Sequence, residues 1–300
     1  MKIQKLFDNK DLIKLIPEFL ELYQGRPFKD NPGGMGLNHS FALYAIIKHF
    51  TFNKVYESGI YRGHSTWLIE NTKKDVEVVS IDIDLNLREY ISKNTNVSYF
   101  EGDFEDLDLS DCDFENTLFF FDDHTNVINR LKHLYSWGAK FAIFEDNYPP
   151  GQGDSYSIRK IKSGTGQSLE EWNPDFKVDY KNSNNTFKNL FSQKSKMGNS
   201  LPYFLTEYFY FQNKLRKPNS SDLAIFDKIV KNDYEIQPIY NYEKTRWGSD
   251  WNGSYISLDP LIENFESNKL NSKELNYLKE LLNHDSIFNY TYFSFVELNN

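Results

Sequence analysis

Five short apolar segments, each ending in acidic residues or glycine, dominate the first half of the sequence and restrict the chain to a small group of folds. They cover residues 55–57, 76–82, 97–103, 117–123 and 140–146. Stretches with helical spacing of apolar residues lie between them, over residues 65–71, 85–93 and 126–137. Apolar strands that alternate with helices predict a parallel sheet covered by helices on both faces.

Weaker patterns flank this core. A helix is predicted over residues 41–50, with Asn38 or Ser40 as its N-cap. Residues 149–200 are polar and rich in turn-forming residues, which predicts a long insertion after the fifth strand. The alternating segment 290–298 is expected to close an edge of the sheet. Further helices are predicted at 204–215, 222–230 and 272–282.

We expect one domain over residues 1–300. Its expected parts are N-terminal helices with a lid (1–50), a cofactor and metal core (51–160), an insertion (161–220), and C-terminal helices with a closing strand (221–300). A chain of 300 residues can bury a core without cross-links, and a single cysteine, Cys112, excludes an internal disulfide.

Charge and apolar patterning exclude several classes of function. Acidic residues outnumber basic ones by 43 to 34, and the net charge of -9 argues against binding to nucleic acid. The sequence has no apolar run long enough to span a bilayer and no secretion signal. We therefore expect a cytoplasmic protein with neither a nucleic-acid partner nor a membrane span. Association of identical copies stays open.

The first candidate site is the turn after the first strand, where Glu57 precedes Gly59 and Gly63 and a helix begins near Ser65. Glycines let the backbone pass close beneath a ligand and present N–H groups at a helix N-terminus. The spacing differs from the G-x-G-x-x-G of dinucleotide-binding proteins, which weakens an NAD interpretation. An ordinary strand-to-helix turn explains the motif alone equally well.

Acids at the next two strand ends extend this candidate site. Asp82 ends the second strand, where a carboxylate can accept hydrogen bonds from ribose hydroxyls. Asp103 ends the third strand, where it could reach an adenine amine. Each acid alone could be a solvated loop residue. Ligands bind outside the carboxyl ends of parallel strands, so acids at consecutive ends favour a ligand site.

Two acid pairs, Asp122-Asp123 and Glu145-Asp146, end the fourth and fifth strands. Clustered carboxylates repel one another unless a cation neutralises them. Oxygen ligands without cysteine suit Mg²⁺, which could hold a substrate hydroxyl and lower its pKa. Helix capping by three of these aspartates is the alternative explanation. His124 is either a general base beside the metal or a structural histidine.

Together, the series Glu57-x-Gly59-x-x-x-Gly63, Asp82, Gly102-Asp103, Asp122-Asp123 and Glu145-Asp146 resembles the class I S-adenosylmethionine-dependent methyltransferases. Within them it is most similar to the metal-dependent cephalosporin-hydroxylase-like and macrocin O-methyltransferase groups, over about residues 54–160. The resemblance implies an α/β, Rossmann-like fold. Its seven-stranded, mostly parallel sheet would be sandwiched by helices, with the last strand antiparallel and a long insertion after the fifth strand.

The resemblance also implies the site residues. S-adenosylmethionine would lie over the glycine turn, with its ribose on Asp82 and its adenine near Asp103. The expected cofactor-binding residues are Glu57, Gly59, Arg62, Gly63, Ser65, Asp82 and Asp103. The expected metal ligands are Asp122, Asp123, Glu145 and Asp146.

Two subsets of metal ligands stay open. Compared with catechol O-methyltransferase, Asp123-His124 and Asp146-Asn147 match its Asp-His and Asp-Asn pairs, so that Asp123, Asp146 and Asn147 would be ligands. Compared with the cephalosporin-hydroxylase-like group, Glu145 and Asp146 match the adjacent acid pair. Asp146 is common to both assignments.

The general base is not assigned by the resemblance. Catechol-type enzymes place a lysine base shortly after the first aspartate, whereas this chain has Thr125 and Asn126 there. His124 and His39 are the candidate bases instead. His39 and the glycine-rich loop 31–36 are also candidates for a lid over the cofactor.

The expected activity is a Mg²⁺-dependent O-methyltransferase acting on a hydroxyl of a sugar, glycan or polyol-like small molecule. An aromatic content of 17% fits stacking on sugar rings, although codon bias in an AT-rich genome explains it as well. The alternatives are a metal-dependent glycosyltransferase that uses Asp82-x-Asp84, and a methyltransferase-like protein without catalytic activity. The glycine turn opposes the first alternative, and the retained acids oppose the second.

Overall fold

Seven strands, seven α-helices and two short 3-10 helices make up the regular structure of the ranges that the computed structural model describes. These ranges are residues 5–31, 33–148, 155–163, 220–240, 258–263, 269–285 and 292–299. The strands are β1 (Lys54–Ser58), β2 (Glu77–Asp82), β3 (Val97–Glu101), β4 (Thr117–Phe121), β5 (Phe141–Phe144), β6 (Val230–Glu235) and β7 (Ser294–Leu298). The helices are α1 (Asn9–Gln24), α2 (Leu37–His49), α3 (His64–Thr72), α4 (Val127–Trp137), α5 (Ile158–Ser163), α6 (Ser220–Ile229) and α7 (Ser272–Asp285).

The strands form one sheet in the order β3-β2-β1-β4-β5-β7-β6. The first five strands are mutually parallel, and β7 runs antiparallel to both of its neighbours. In the parallel register, Ser58 at the end of β1 is opposite Ile81 of β2 and Phe121 of β4. The carboxyl ends of β1, β2 and β4 therefore meet at one edge, and the expected seven-stranded, mostly parallel sheet is confirmed.

Strand β4 shows how the sheet is buried on both faces. Leu118 and Phe120 belong to a core shared with α1, α2 and α3, whereas Phe119 and Phe121 belong to a core shared with α4. All four side chains are at most 3% exposed. Each fully buried phenylalanine contributes about 2–3 kcal/mol of transfer free energy, so this continuous apolar strand fixes the sheet between two helical layers.

The expectation that 290–298 closes the sheet edge is wrong. Strand β7 lies between β5 and β6, and β6 is the edge strand. Residues 231–233 of β6 are Lys-Asn-Asp, and such polar residues give no strand signal in the sequence. Helix α6 agrees with the predicted helix at 222–230, while the predicted helix at 204–215 and most of the predicted insertion lie outside the described residues.

The helix predicted over 85–93 is largely absent. A single 3-10 turn, Leu85–Leu87, replaces it. The backbone N–H of Tyr90 donates to the Arg62 carbonyl at 2.9 Å, and the Tyr90 hydroxyl donates to Glu70. These tertiary hydrogen bonds hold the segment against the glycine turn, and they outweigh its modest helical propensity.

The start of α2 also differs from the expectation. Gly36 occupies the N-cap, so Asn38 and Ser40 lie inside the helix. The Asn38 side chain instead accepts the backbone N–H of Ile239 at 2.9 Å and donates to the Tyr240 carbonyl at 3.0 Å. The Asn38 side chain, which was expected to cap α2, thus forms long-range hydrogen bonds with residues 239 and 240 instead. No helix in the described part of the chain is long and apolar enough to cross a membrane.

Candidate active site

The glycine turn after β1 lies directly against the end of β4. Gly59 has φ +92°, and a Cβ atom placed on it would come within 2.2 Å of the Asp122 carbonyl oxygen. Gly63 has φ +95° and is the N-cap of α3, where a Cβ atom would lie 2.7 Å from the Tyr90 carbonyl oxygen. Both positions require glycine for their backbone conformation and for close approach.

Asp82 holds this turn in place. One carboxylate oxygen accepts the backbone N–H groups of Ile60 at 2.8 Å and Tyr61 at 3.1 Å, and the other accepts that of Asp84 at 3.1 Å. Tyr61 has φ +48°, an uncommon conformation for a residue with a side chain. The acid at the end of β2 therefore orients the turn, and its expected contact with ribose stays a prediction.

Glu57 lies beneath the turn rather than on its surface. Its side chain is fully buried, and one oxygen accepts hydrogen bonds from the Thr66 and Ser80 hydroxyls, both at 2.6 Å. Burial raises the pKa of Glu57 above its ordinary value. Ser65, in the first turn of α3, is also buried. These side chains connect β1, β2 and α3 below the predicted cofactor site.

The Arg62 side chain, an expected cofactor-binding group, is bonded to residues outside the glycine turn. Its guanidinium forms two hydrogen bonds with Glu89, at 2.5 and 2.9 Å, and donates to the Asp30 carbonyl at 2.9 Å. The same group lies 4.1 Å from the centre of the Phe28 ring. In this structure Arg62 links the glycine turn to the N-terminal segment.

Arg130, on α4, connects two of the predicted site acids. This buried guanidinium lies 3.0 Å from an oxygen of Asp103 and 2.8 Å from an oxygen of Asp123. Burial raises the pKa of Asp103, but the hydrogen bond and positive charge of Arg130 outweigh it, so the pKa lies below its ordinary value. Asp123 also accepts hydrogen bonds from the Ser58 and Thr125 hydroxyls, both at 2.7 Å. Asp123 therefore belongs to a hydrogen-bonded network with Arg130, Ser58 and Thr125, and its expected role as a metal ligand stays a prediction.

A group that could hold a metal forms beside this network. Asp122, His124 and Asp146 each offer a ligand atom, and these atoms lie within 4.8 Å of one another. His124 Nδ1 is 2.8 Å from a carboxylate oxygen of Asp146. His124 has φ +54°, a strained conformation of the kind that clusters at functional sites. Burial, followed by repulsion from Asp146, raises the pKa of Asp122 well above its ordinary value.

Glu145 lies next to this group and is held by His39. The two side chains are each 3% exposed, and His39 Nδ1 contacts Glu145 Oε1. His39 Nε2 accepts the backbone N–H of Tyr292 at 3.0 Å. Both ring nitrogens of His39 are thus engaged inside the fold. His39 is buried in α2 with both ring nitrogens bonded, an arrangement that does not favour its expected roles in a lid and as a general base.

Asn147 belongs to a different buried network. Its side-chain oxygen accepts the backbone N–H of Arg159 at 3.0 Å, and its amide nitrogen lies 3.4 Å from Glu235. Arg159 and Glu235 form a buried ion pair with contacts of 2.6 and 2.5 Å. Of the catechol-type set, Asp146 belongs to the metal-competent group, whereas Asp123 and Asn147 bond other groups in this structure. The catechol-type assignment stays a prediction.

Sequence reasoning missed several residues that build the site. Thr66 and Ser80 bond Glu57, and Arg130 bonds Asp103 and Asp123. Hydroxyl and arginine residues are common in helices and strands, so their identity gave no signal. The arrangement of β1, β2 and α4 creates these contacts.

No family model and no curated protein matches the chain. A solved structure of cmcI with SAH (S-adenosylhomocysteine) is 23% identical, over 40% of this chain and 66% of that one, with a TM-score of 0.31. A Staphylococcus aureus structure with a provisional caffeoyl-CoA O-methyltransferase name is 17% identical. The match covers 45% of this chain and 66% of that one, with a TM-score of 0.28. The plantazolicin methyltransferase BpumL in complex with SAH is 11% identical. The match covers 97% of this chain and 95% of that one, with a TM-score of 0.38. This chain thus spans just under two thirds of the first two structures.

The strand order decides the fold assignment. Five parallel strands are followed by an antiparallel β7 inserted beside β5, in the order β3-β2-β1-β4-β5-β7-β6. The chain has the class I methyltransferase fold. Within this fold, the glycine turn and the acid group occupy the carboxyl edge of the sheet, where ligands of open α/β sheets bind.

Proposed function

We propose that the protein is an S-adenosylmethionine-dependent O-methyltransferase that binds its acceptor at a divalent cation. One observation carries the proposal: the glycine turn and the metal-competent group are in direct contact, because Gly59 packs on the backbone of Asp122. A methyl donor over the turn would therefore lie beside a hydroxyl held near Asp122 and Asp146. Such placement favours direct transfer through proximity and orientation.

The turn offers suitable groups for the cofactor. Asp82 accepts backbone N–H groups of the turn and so holds the turn in one conformation. The first N–H groups of α3 follow directly after Gly63, the N-cap of that helix. A preorganised loop at a helix N-terminus suits the negatively charged part of a ligand. Bound S-adenosylmethionine would supply an electrophilic methyl group, and the surrounding carboxylates would favour its positive sulfonium.

The residues at the acid group fit a divalent cation. Asp122 and Asp146 are brought together with His124, and burial and the charge of Asp146 raise the pKa of Asp122 well above its ordinary value. A cation would neutralise this crowding of carboxylates. When bound, the cation would lower the pKa of an acceptor hydroxyl. Carboxylate oxygens suit Mg²⁺, whereas an imidazole in the donor set shifts preference towards an ion such as Mn²⁺. We therefore propose Mg²⁺ or Mn²⁺ as the ion.

The acceptor class follows from the same chemistry. A cation that favours oxygen donors can bind two neighbouring hydroxyls of one sugar, glycan or polyol. With His124 counted among the donors to the cation and both ring nitrogens of His39 bonded, neither histidine is proposed as the base for the acceptor hydroxyl. We propose a small hydroxyl compound of this kind as the acceptor.

The glycosyltransferase alternative receives less support. Its Asp82-x-Asp84 pair would have to direct carboxylate oxygens towards one cation. Asp82 instead accepts three backbone N–H groups, and Asp84 accepts the backbone and side-chain N–H groups of Asn86, both at 2.9 Å. Both carboxylate oxygens of Asp82 and one of Asp84 are therefore used in local structure.

Calorimetric titration with S-adenosylhomocysteine tests the proposal. We expect micromolar binding that survives chelation, because the cation would serve the acceptor rather than the cofactor. A subsequent acceptor screen with sugars, polyols and catechols should show methyl transfer that requires Mg²⁺ or Mn²⁺. Absence of binding with and without metal would overturn the proposal, and binding of a nucleotide sugar in its place would favour the glycosyltransferase.

A further inference from the structure

A chain of hydrogen bonds leads from the start of β7 to the acid group. The backbone N–H of Tyr292 donates to His39 Nε2 at 3.0 Å, so this nitrogen carries no proton. The ring proton is therefore on Nδ1, which donates to Glu145 Oε1. The fold thus fixes both the tautomer and the orientation of the His39 ring.

The surroundings keep this ring neutral and immobile. Burial lowers the pKa of His39 to about 4. Phe293 packs edge-on against the ring, with 5.7 Å between ring centres. The ring is thereby enclosed by α2, by the end of β5 and by the residues that precede β7. A buried neutral imidazole with two fixed partners is a rigid hydrogen-bond donor.

Glu145, the acceptor of this bond, is next to both aspartates of the metal-competent group. The backbone N–H of Glu145 donates to the Phe121 carbonyl at 3.0 Å, which places Glu145 beside Asp122, and Asp146 directly follows Glu145 in the chain. Because neighbouring carboxylates repel one another, the position of the Glu145 carboxyl affects where both aspartates can direct their oxygens. Residues that orient the ligands without binding the metal themselves commonly affect metal affinity.

We propose that His39 is a positioning residue for the cation site: its Nδ1–H holds the Glu145 carboxyl so that Asp122 and Asp146 converge on one ion. This inference rests on the proposed function, since it concerns the same cation. It assigns a role in metal binding to a residue of α2, which contributes no ligand and lies more than 80 residues before the acids in sequence.

Two substitutions at His39 separate its two hydrogen bonds. In His39→Asn the amide nitrogen can take the place of Nδ1 and donate to Glu145, while the bond from Tyr292 is lost. In His39→Gln the amide oxygen can take the place of Nε2 and accept from Tyr292, while the bond to Glu145 is lost. Each variant loses one buried hydrogen bond, so comparable losses of stability are expected.

Mn²⁺ binding to the full chain, measured by electron paramagnetic resonance without cofactor or acceptor, distinguishes the two variants. We expect His39→Gln to weaken Mn²⁺ binding about tenfold and His39→Asn to stay within about twofold of wild type. His64→Gln serves as the control, because His64 is another buried histidine, with Nε2 bonded to Ser40 at 3.0 Å, outside the acid group. It should bind Mn²⁺ as wild type does.

The outcomes separate this inference from the proposed function. Wild-type protein that binds no Mn²⁺ would overturn the cation site and the inference together. Wild-type affinity in a folded His39→Gln, or equal weakening in His39→Asn, would overturn the inference alone. Nitrogen NMR of the wild type gives an independent test, since a protonated Nε2 on His39 between pH 6 and 8 would also overturn it.

Discussion

The carboxylate of Asp82, at the end of β2, accepts a hydrogen bond from the backbone N–H of Ile60 at 2.8 Å, inside the glycine turn that follows β1. The acid predicted to bind ribose thus also shapes the loop on which the cofactor would lie. Because the same carboxylate also accepts from Tyr61, the turn is fixed before any ligand arrives. Such preorganisation reduces the entropic cost of binding.

Replacing Asp82 should therefore weaken cofactor binding. In Asp82→Asn, an amide nitrogen must face either backbone N–H groups or the ligand, so at least one hydrogen bond is lost. We expect S-adenosylhomocysteine affinity to fall about tenfold, or about 1.4 kcal/mol. Asp84→Asn is the matched control, since Asp84 caps a 3-10 turn and bonds Asn86. Calorimetry on both variants gives the comparison, and equal affinities would contradict the role of Asp82.

Gly59→Ala should damage the fold more than a glycine substitution elsewhere. Its new Cβ atom would meet the Asp122 carbonyl at 2.2 Å, in addition to the strain of φ +92°. We expect a loss of about 2–4 kcal/mol in the free energy of unfolding. At Gly138 the φ is +84° but nothing lies within 4 Å, so Gly138→Ala should cost only about 1 kcal/mol. Urea denaturation of both variants measures the difference, and equal costs would show that the turn yields to the methyl group.

Asp146 should be required for turnover and dispensable for cofactor binding. It belongs to the metal-competent group, while the glycine turn is held by Asp82. We expect Asp146→Ala to lower methyl transfer by at least roughly 100-fold and to leave S-adenosylhomocysteine affinity within about twofold of wild type. Turnover in a radiolabelled methyl-transfer assay, once an acceptor is found, checks the first result. Unchanged turnover would exclude a metal role for Asp146.

His124 should determine which ion is preferred. An imidazole donor favours Mn²⁺ over Mg²⁺, so wild-type protein should bind Mn²⁺ more tightly. His124→Asn removes the imidazole while tolerating the left-handed backbone, which has φ +54° at this position. We expect this variant to lose about tenfold in Mn²⁺ affinity and little in Mg²⁺ affinity. Equal losses for both ions would mean that His124 is not a ligand.

His64 makes stability depend on pH. Burial, reinforced by the charge of Arg26, lowers the pKa of His64 to about 3. The unfolded chain, with an ordinary pKa near 6.5, then binds the extra proton as pH falls, so stability is full above about pH 6.5 and declines towards pH 3. At pH 5 the loss from this group is roughly 2 kcal/mol. The difference between the urea midpoints at pH 7 and pH 5 should shrink in His64→Gln without vanishing, because burial also lowers the pKa of His39 to about 4 and adds a dependence of the same sign. An unchanged difference would assign the pH dependence to other groups.

The predictable part of the fold is the part with local apolar patterns. Strands β1 to β5 and helices α3 and α4 were expected near their observed positions, because each carries a continuous apolar segment or a helical stripe. The edge strand β6 was missed because its residues 231–233 are polar. The helix expected after Asp84 was largely absent because Tyr90 bonds Arg62 and Glu70 across the fold.

The acid group also has a part that the sequence predicts and a part that depends on tertiary contacts. Its aspartates were identified as candidate ligands because acids at the ends of parallel strands must share one edge. Their partners were not predictable, since Asp123 and Asp122 are adjacent in sequence, yet one faces Arg130 and the other faces Asp146. The partner of each aspartate depends on the direction in which its side chain extends from the end of β4 and on the position of Arg130 on α4.

By itself, the sequence determined the alternation of strands and helices, the glycine turn and the edge at which the acids gather, since these follow from local residue patterns and strand direction. Only the tertiary structure decided which polar groups pair. His39 contacts Glu145 across more than 100 residues of sequence, and Arg130 bonds Asp123 beside the metal-competent group. Such pairing arises when burial forces each polar atom to find a partner among whatever groups packing has placed nearby.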